Sequence, residues 1–328
     1  MKRNVLFAVA FFATLSASAQ SIAAVSPSNA TTMYQTLDDA VTKAAPGSII
    51  YLPGGGFNIS DDTKITKKIT IMGVSHRADA DNADGATAIA GNLNFVGESS
   101  GSSVIGVYVS GDIIVGDEAD LVTNLTIRYC NIRSIQVKHK GASGMVIDQN
   151  YLRSTSFFCQ SDPIISNNIV HSLYDIYGGQ IINNIIVSYS KIYGGSGSYG
   201  SWYYTQAIGA DACIITRNVL LDPASILKGS ECMIYRNMLR TEWGEECVAL
   251  GNEVNWDDVF TKNKGVNIFS DYHFTDDYKK YEDIGIYGGS GFNPNKSLAP
   301  IPRIVSKKVN EHTDGSGMLH IEVKVKAD

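Results

Sequence analysis

Six stretches of the chain repeat one short pattern of apolar and polar positions. They span 145–152, 164–170, 181–186, 214–220, 233–239 and 248–254. Each sets an apolar residue three positions before an Asn and another two positions after it. The Asn residues are Asn150, Asn168, Asn184, Asn218, Asn237 and Asn252, spaced by 15 to 19 residues with one step of 34. A seventh stretch, 125–132, fits the same frame with Cys130 in the Asn slot. Within each stretch apolar residues alternate with period two and no helical stripe develops. A repeat this short with that alternation predicts one coil of a parallel β-helix. At about 4.8 Å per coil, roughly ten to twelve coils would stack into a rod on the order of 50 Å long.

The slot has a physical rationale. Asn accepts left-handed backbone angles, which a sharp turn between two strands requires. Its amide both donates and accepts, so a column of such amides satisfies itself in a buried turn. Two further columns follow from the frame. Five residues before the last three slots stand Cys213, Cys232 and Cys247, predicted to stack facing inward as small apolar groups. No C-x-x-C or His at ligand spacing supports a zinc site, and five cysteines leave at least one unpaired. The pairing of Cys130 and Cys159 is open. The position just after the slot faces outward, yet it carries Tyr151, Ile169, Ile185, Val219 and Met238. Such a stripe demands a cover, and residues 256–328 are available for it, with 298–328 the segment whose loss is expected to expose it.

The ends differ from the middle. Thr36-Leu-Asp-Asp39 starts a short amphipathic helix with Leu37, Ala40, Val41 and Ala44 on one side, which Pro46-Gly47 ends. Strands follow at 49–53 and 67–73. Such a helix would cover the first open coil. Near the other end Leu319, Ile321, Val323 and Val325 alternate with polar residues, and the turn at 314–317 pairs them with 304–309 as a β-hairpin.

The opening, with its helix at 36–45, Pro46-Gly47-Ser48-Ile49-Ile50-Tyr51-Leu52-Pro53 and Ile69-Thr70-Ile71-Met72-Gly73, resembles the N-terminal cap of secreted right-handed parallel β-helix proteins of the pectin-lyase-like superfamily. With the Asn column the resemblance covers about residues 34–255. The run Asp283-Ile-Gly-Ile-Tyr-Gly-Gly289 is similar to a closing motif of exported β-helix proteins of the Bacteroidetes type. The resemblance implies an all-β, single-stranded, right-handed solenoid with an N-terminal capping helix and a C-terminal hairpin. It does not select an activity, because the superfamily includes lyases, glycoside hydrolases, esterases, adhesins and phage tailspikes.

Domain boundaries follow. Lys2-Arg3, an apolar run over 5–15 and Ser16-Ala17-Ser18-Ala19 form a secretory signal peptide, residues 1–19. The run is short for a membrane span. Residues 20–297 form the β-helix with its cap, and 298–328 a hairpin appendage. Cleavage after Ala19 removes two of 27 basic residues and leaves the 33 acidic ones, so the mature chain is acidic. No basic footprint for nucleic acid exists. The expected location is secreted: periplasm, outer surface or medium.

Active-site motifs of the superfamily can be checked directly. The G-H-G of pectin-hydrolysing enzymes is absent, and the Asp-Asp pairs at 38–39, 61–62, 257–258 and 276–277 fall outside the repeat. Asp148, Asp162 and Asp175 occupy different columns, unlike a calcium-lyase face. The run Asp79-Ala-Asp81-Asn-Ala-Asp84 misses the calcium-loop spacing by one position, so a solvated loop is the simpler expectation, calcium binding there is the alternative, and no other cofactor or metal is assigned.

A basic column is left. Arg133, Arg153 and His171 stand three residues after successive slots, on the outward parity. They form either a solvated stripe or a site for an acidic sugar, with a Lys, His or Arg as lyase base. The longest insertion, between Asn184 and Asn218, holds Tyr193, Trp202, Tyr203 and Tyr204 among Gly and Ser. These aromatics offer faces to sugar rings or plug the end of a coil. The expectation is an exported β-helix that binds or processes a polysaccharide or cell-surface glycan. The alternative is a non-catalytic, adhesin-like structural protein.

Overall fold

The computed structural model describes residues 21–77, 85–160, 162–187, 191–194, 201–204, 208–221, 227–228, 231–240, 245–251, 254–262, 271–289, 291–292, 303–309, 312–313, 315–318 and 321–326. The expected signal peptide, the Asp79–Asp84 run and Asn252 lie outside them.

The period-two alternation produces a parallel β-helix. One sheet stacks nine parallel strands, from Ile49–Leu52 through Thr126–Arg128 and Ile164–Ser166 to Met233–Tyr235. A second stacks ten, from Gly55–Asn58 through Ile169–Val170 to Val248–Ala249. A further row runs from Lys64–Lys67 to Leu227–Lys228, joined to the second sheet by three long strands that bend across a corner. The depth among the described residues is therefore nine to ten coils, slightly under the expected ten to twelve. Register puts like on like: Ile50, Ile71, Val104, Ile127, Ile147, Ile165, Ile181 and Ile215 form one inward column, all wholly buried. Each such side chain contributes about 1.5–3 kcal/mol by leaving water.

The Asn slot is a hydrogen-bonded ladder, but its backbone logic differs from the expectation. The left-handed residue is the one before the Asn: Tyr129, Gln149, Asn167, Asn183, Arg217 and Arg236 have φ between 52° and 58°. Their backbone turns the chain, and the Asn then points its amide inward along the stack. The backbone N–H and Nδ2 of Asn150 both donate to Oδ1 of Asn168, at 2.9 and 3.0 Å. Asn168 does the same to Asn184, Asn184 to Asn218, and Asn218 to Asn237. Each Nδ2 also reaches a strand carbonyl, as Asn184 does to Ile165 at 2.9 Å. All five are wholly buried.

The cysteines run a parallel, weaker ladder. The Sγ of Cys213 accepts from the Gly179 N–H at 3.3 Å, and that of Cys232 from the Cys213 N–H at 3.4 Å. Cys130 and Cys213 are buried thiols, whereas Cys232 and Cys247 are only half-buried; none of these four is in a disulfide. Burial pushes the Cys130 thiol up to about 12 and that of Cys213 to about 11.

The N-terminal edge carries more than the expected helix. The helix Leu37–Lys43 is present, with the Thr36 hydroxyl accepting from the Asp39 N–H at 3.1 Å. Ahead of it, Ile22–Val25 and Thr31–Tyr34 form an antiparallel hairpin that pairs onto Ile49–Leu52 and extends the first sheet.

A strap covers the outward apolar stripe. Tyr151, Ile169, Ile185, Val219 and Met238 are each at most 1 % exposed, because Trp256, Val259, Phe260, Tyr272, Ile284, Ile286 and Phe292 pack over them as a second core. The cover thus comes from 256–292. The C-terminal hairpin, Arg303–Val309 against Ile321–Lys326, forms as expected, and none of its described side chains belongs to that core.

Candidate functional site

The strap is positioned by the left-handed column. Residues with positive φ point their side chains away from the stack, so Asn167, Asn183, Arg217 and Arg236 rise in one line. The Nδ2 of Asn167 donates to the carbonyls of Ile286 and Gly288, both at 2.8 Å. That of Asn183 donates to Asp283 and Gly285 at 2.7 and 3.0 Å. The Gly285 N–H returns a bond to the Arg217 carbonyl at 2.7 Å. The Asp283 carboxylate lies 3.4 Å from Arg217 Nε and 3.0 Å from Arg236 Nε. Gly285 has φ of +77°, and a Cβ there would press on Ile185 and Val219. The run 283–289 is therefore a clamp, which sequence periodicity could not reveal because its partners are single outward residues on four coils.

Three residues past the slot, the basic column stands on the outer face. Arg133, Arg153 and His171 follow one another across paired strands, since Leu152 lies beside Ile132 and Val170. The next two coils place Val187 and Leu221 at this position, both covered, and Trp256 Nε1 donates to the Leu221 carbonyl at 2.7 Å. The basic patch ends where the strap begins.

The three members are not equivalent. Arg133 forks onto Asp112: Nε donates to Oδ1 and Nη2 to Oδ2, both at 2.8 Å. Ser134 Oγ and Gln136 Nε2 donate to the same carboxylate at 2.9 and 2.8 Å, and the Asp112 N–H donates to Asn92 Oδ1 at 2.8 Å. Burial raises the Asp112 pKa, but bonds from Arg133 and Ser134 and the charges of Arg133 and Lys138 outweigh it, leaving the carboxyl below its ordinary value. Asp112 is thus a saturated anion with no role as a base. Two of the five N–H bonds of Arg133 are occupied by it.

Arg153 is exposed and has no ion-pair partner among the described residues. His171 beside it is half-buried, and burial followed by the Arg153 charge holds its pKa below the ordinary value. Its imidazole is therefore neutral at neutral pH. An exposed guanidinium next to a neutral imidazole can hold an anionic group and exchange a proton beside it.

The insertion folds as an antiparallel hairpin, Lys191–Gly194 against Ser201–Tyr204, with Tyr193 opposite Trp202, Ile192 opposite Tyr203 and Lys191 opposite Tyr204. It leaves the coil just after Val187, the column position one coil beyond His171. The side chains of Tyr193, Trp202, Tyr203 and Tyr204 lie outside the described residues.

Asp112, Ser134 and Gln136 were not singled out by the sequence. Asp112 sits past a register shift between Val109 and Asp112, where the strand bends across a corner. The in-out count fails there. A Cβ at Gly111 would strike the Gly91 carbonyl, so the bend needs glycine.

No group of three metal-ligating side chains occurs among the described residues, and no helix there is long and apolar enough to cross a membrane. Compared with known protein families, curated proteins and solved structures, the chain gives no match.

Proposed function

We propose that this chain is an exported β-helix of the pectin-lyase-like kind that binds an acidic polysaccharide on the outer face crossed by Arg133, Arg153 and His171. The observation that supports this reading is the contrast between two neighbouring arginines. Arg133 has its counter-ion within the protein; Arg153, one coil on, has none among the described residues. Stacked like charges are unfavourable unless an anion offsets them. A uronate carboxylate or a sulfate would do so through charge-assisted hydrogen bonds. The hairpin carrying Tyr193, Trp202, Tyr203 and Tyr204 would supply ring faces for the sugars.

His171 extends the reading to catalysis. With a uronate carboxylate held by Arg153, a neutral imidazole is the group suited to take the proton from the carbon that bears it. The electron pair left behind forms the ring double bond as the glycosidic C–O bond on the neighbouring carbon breaks, and the departing oxygen takes a proton from solvent. A second reading, a non-catalytic surface protein of the adhesin kind, draws support from Asp112, a buried carboxylate on this face that is fully occupied by structural bonds.

Affinity electrophoresis through gels containing polygalacturonate, alginate, chondroitin sulfate or neutral arabinoxylan tests the proposal. Retardation in at least one acidic gel and free migration in arabinoxylan is the expected result. Free migration in all of them contradicts it. Ultraviolet absorbance from an unsaturated product then separates a lyase from a binder.

A further inference from the structure

The outer side of the strap holds a cleft that the basic face does not explain. It has a volume of about 450 Å³ and is lined by His273, Phe274, Asp276, Lys279, Glu282 and Asp283, with Tyr287 and the backbone of Gly288 and Gly289. That size falls within the range of small-molecule sites. Its walls come from the strand Asp271–Phe274, the 3₁₀ turn Asp276–Tyr281 and the clamp run after it.

Three features of the lining restrict what it would take. First, the His273 and Tyr287 rings stack at 3.7 Å between centroids and 20° between planes, giving one flat aromatic surface that is exposed at His273. Second, the charges are mixed: Asp276 and Glu282 stand with Lys279, while Asp283 is already countered by Arg217 and Arg236. A strongly charged ligand of either sign would meet like charges there, and an apolar one would strip water from several ionised groups without replacing it. Third, the scaffold is fixed. The clamp amides hold 283–288 to the stack, and Ile284 and Ile286 anchor it in the second core, so little ordering is left for binding to cost.

We infer that this cleft binds a neutral sugar of one or two rings. Ring hydroxyls donate to the Asp276 and Glu282 carboxylates and accept from Lys279 Nζ, while an apolar sugar face lies on the His273–Tyr287 pair. This site is separate from the proposed acidic-glycan face and does not depend on it.

Calorimetric titration of the full chain with cellotetraose, maltotetraose and mannotetraose, and with tetragalacturonate as the acidic probe, tests the inference. Wild type is compared with His273→Ala, Glu282→Gln and Arg153→Ala; all three positions are exposed, and circular dichroism checks their folding. At least one neutral tetrasaccharide should bind at millimolar concentration. Its affinity should fall about tenfold in Glu282→Gln and at least as far in His273→Ala, and stay unchanged in Arg153→Ala. Absence of binding by all three neutral probes overturns the inference. Binding that survives both strap variants, or that is lost in Arg153→Ala, overturns it equally. Tetragalacturonate reports separately on the acidic face, since its binding should respond to Arg153→Ala and not to His273→Ala.

Discussion

An amide at one corner of five successive coils holds this part of the stack in register, and its cost of removal is local. Asn184 donates to Asn218 and accepts from Asn168, and its Nδ2 also reaches Ile165. Asn184→Ala leaves buried donors above it without a partner, so chemical denaturation should show a loss of about 1–3 kcal/mol. A wild-type midpoint would contradict the ladder's energetic role. His76 gives the residue scale its pH dependence. Its ring is 5 % exposed, Nδ1 lies 2.9 Å from the Tyr129 carbonyl, and Nε2 is buried with no hydrogen-bond partner among the described residues. Burial holds the pKa down at about 4, against 6.5 for the free side chain. The unfolded chain therefore binds a proton that the folded chain refuses between those values. Stability should be full above pH 6.5 and fall as pH drops to about 4, by about 3 kcal/mol in all. In His76→Phe this acid limb should flatten in melting temperature against pH; an unchanged limb would assign it to other groups.

At the scale of elements, the strap is the part whose loss the rest of the chain would register. Gly288→Ala would drive a methyl into the Asp283 carbonyl and the Asn183 amide. It should lift the clamp, lower the melting temperature and raise binding of a hydrophobic dye. Removing 303–328 should leave dye binding and melting unchanged, because the last described residue of the second core is Phe292; removing everything from 256 should expose the stripe. Equal behaviour of the two truncations would contradict this division. The stripe itself was legible in the sequence: five apolar residues at an outward parity announced a cover. Which segment supplies it was not. Both 256–292 and the amphipathic terminal strand carry enough apolar residues, and periodicity reports which face is buried without saying what docks on it. The N-terminal hairpin was missed for a related reason. Thr31–Tyr34 is largely exposed and shows no alternation, so only its pairing through Ile22–Val25 identifies it as sheet.

For the whole molecule, the repeat determined the architecture because every coil has an inward apolar row, and the five coils from Asn150 to Asn237 add an inward amide at the corner. The candidate site was legible only in part. Parity placed Arg133, Arg153 and His171 in one outward column, but it could not see Asp112 across the corner, and so could not tell the neutralised arginine from the exposed one. That difference carries the functional account. Titrating tetragalacturonate into the wild type and Arg153→Ala, at low and at near-molar salt, measures it most directly. Wild-type affinity should fall steeply with salt, and Arg153→Ala should bind about tenfold more weakly at low salt with a shallower salt dependence. If Arg153→Ala binds as tightly as the wild type, with the same salt dependence, the outer basic face is not where an acidic glycan is held.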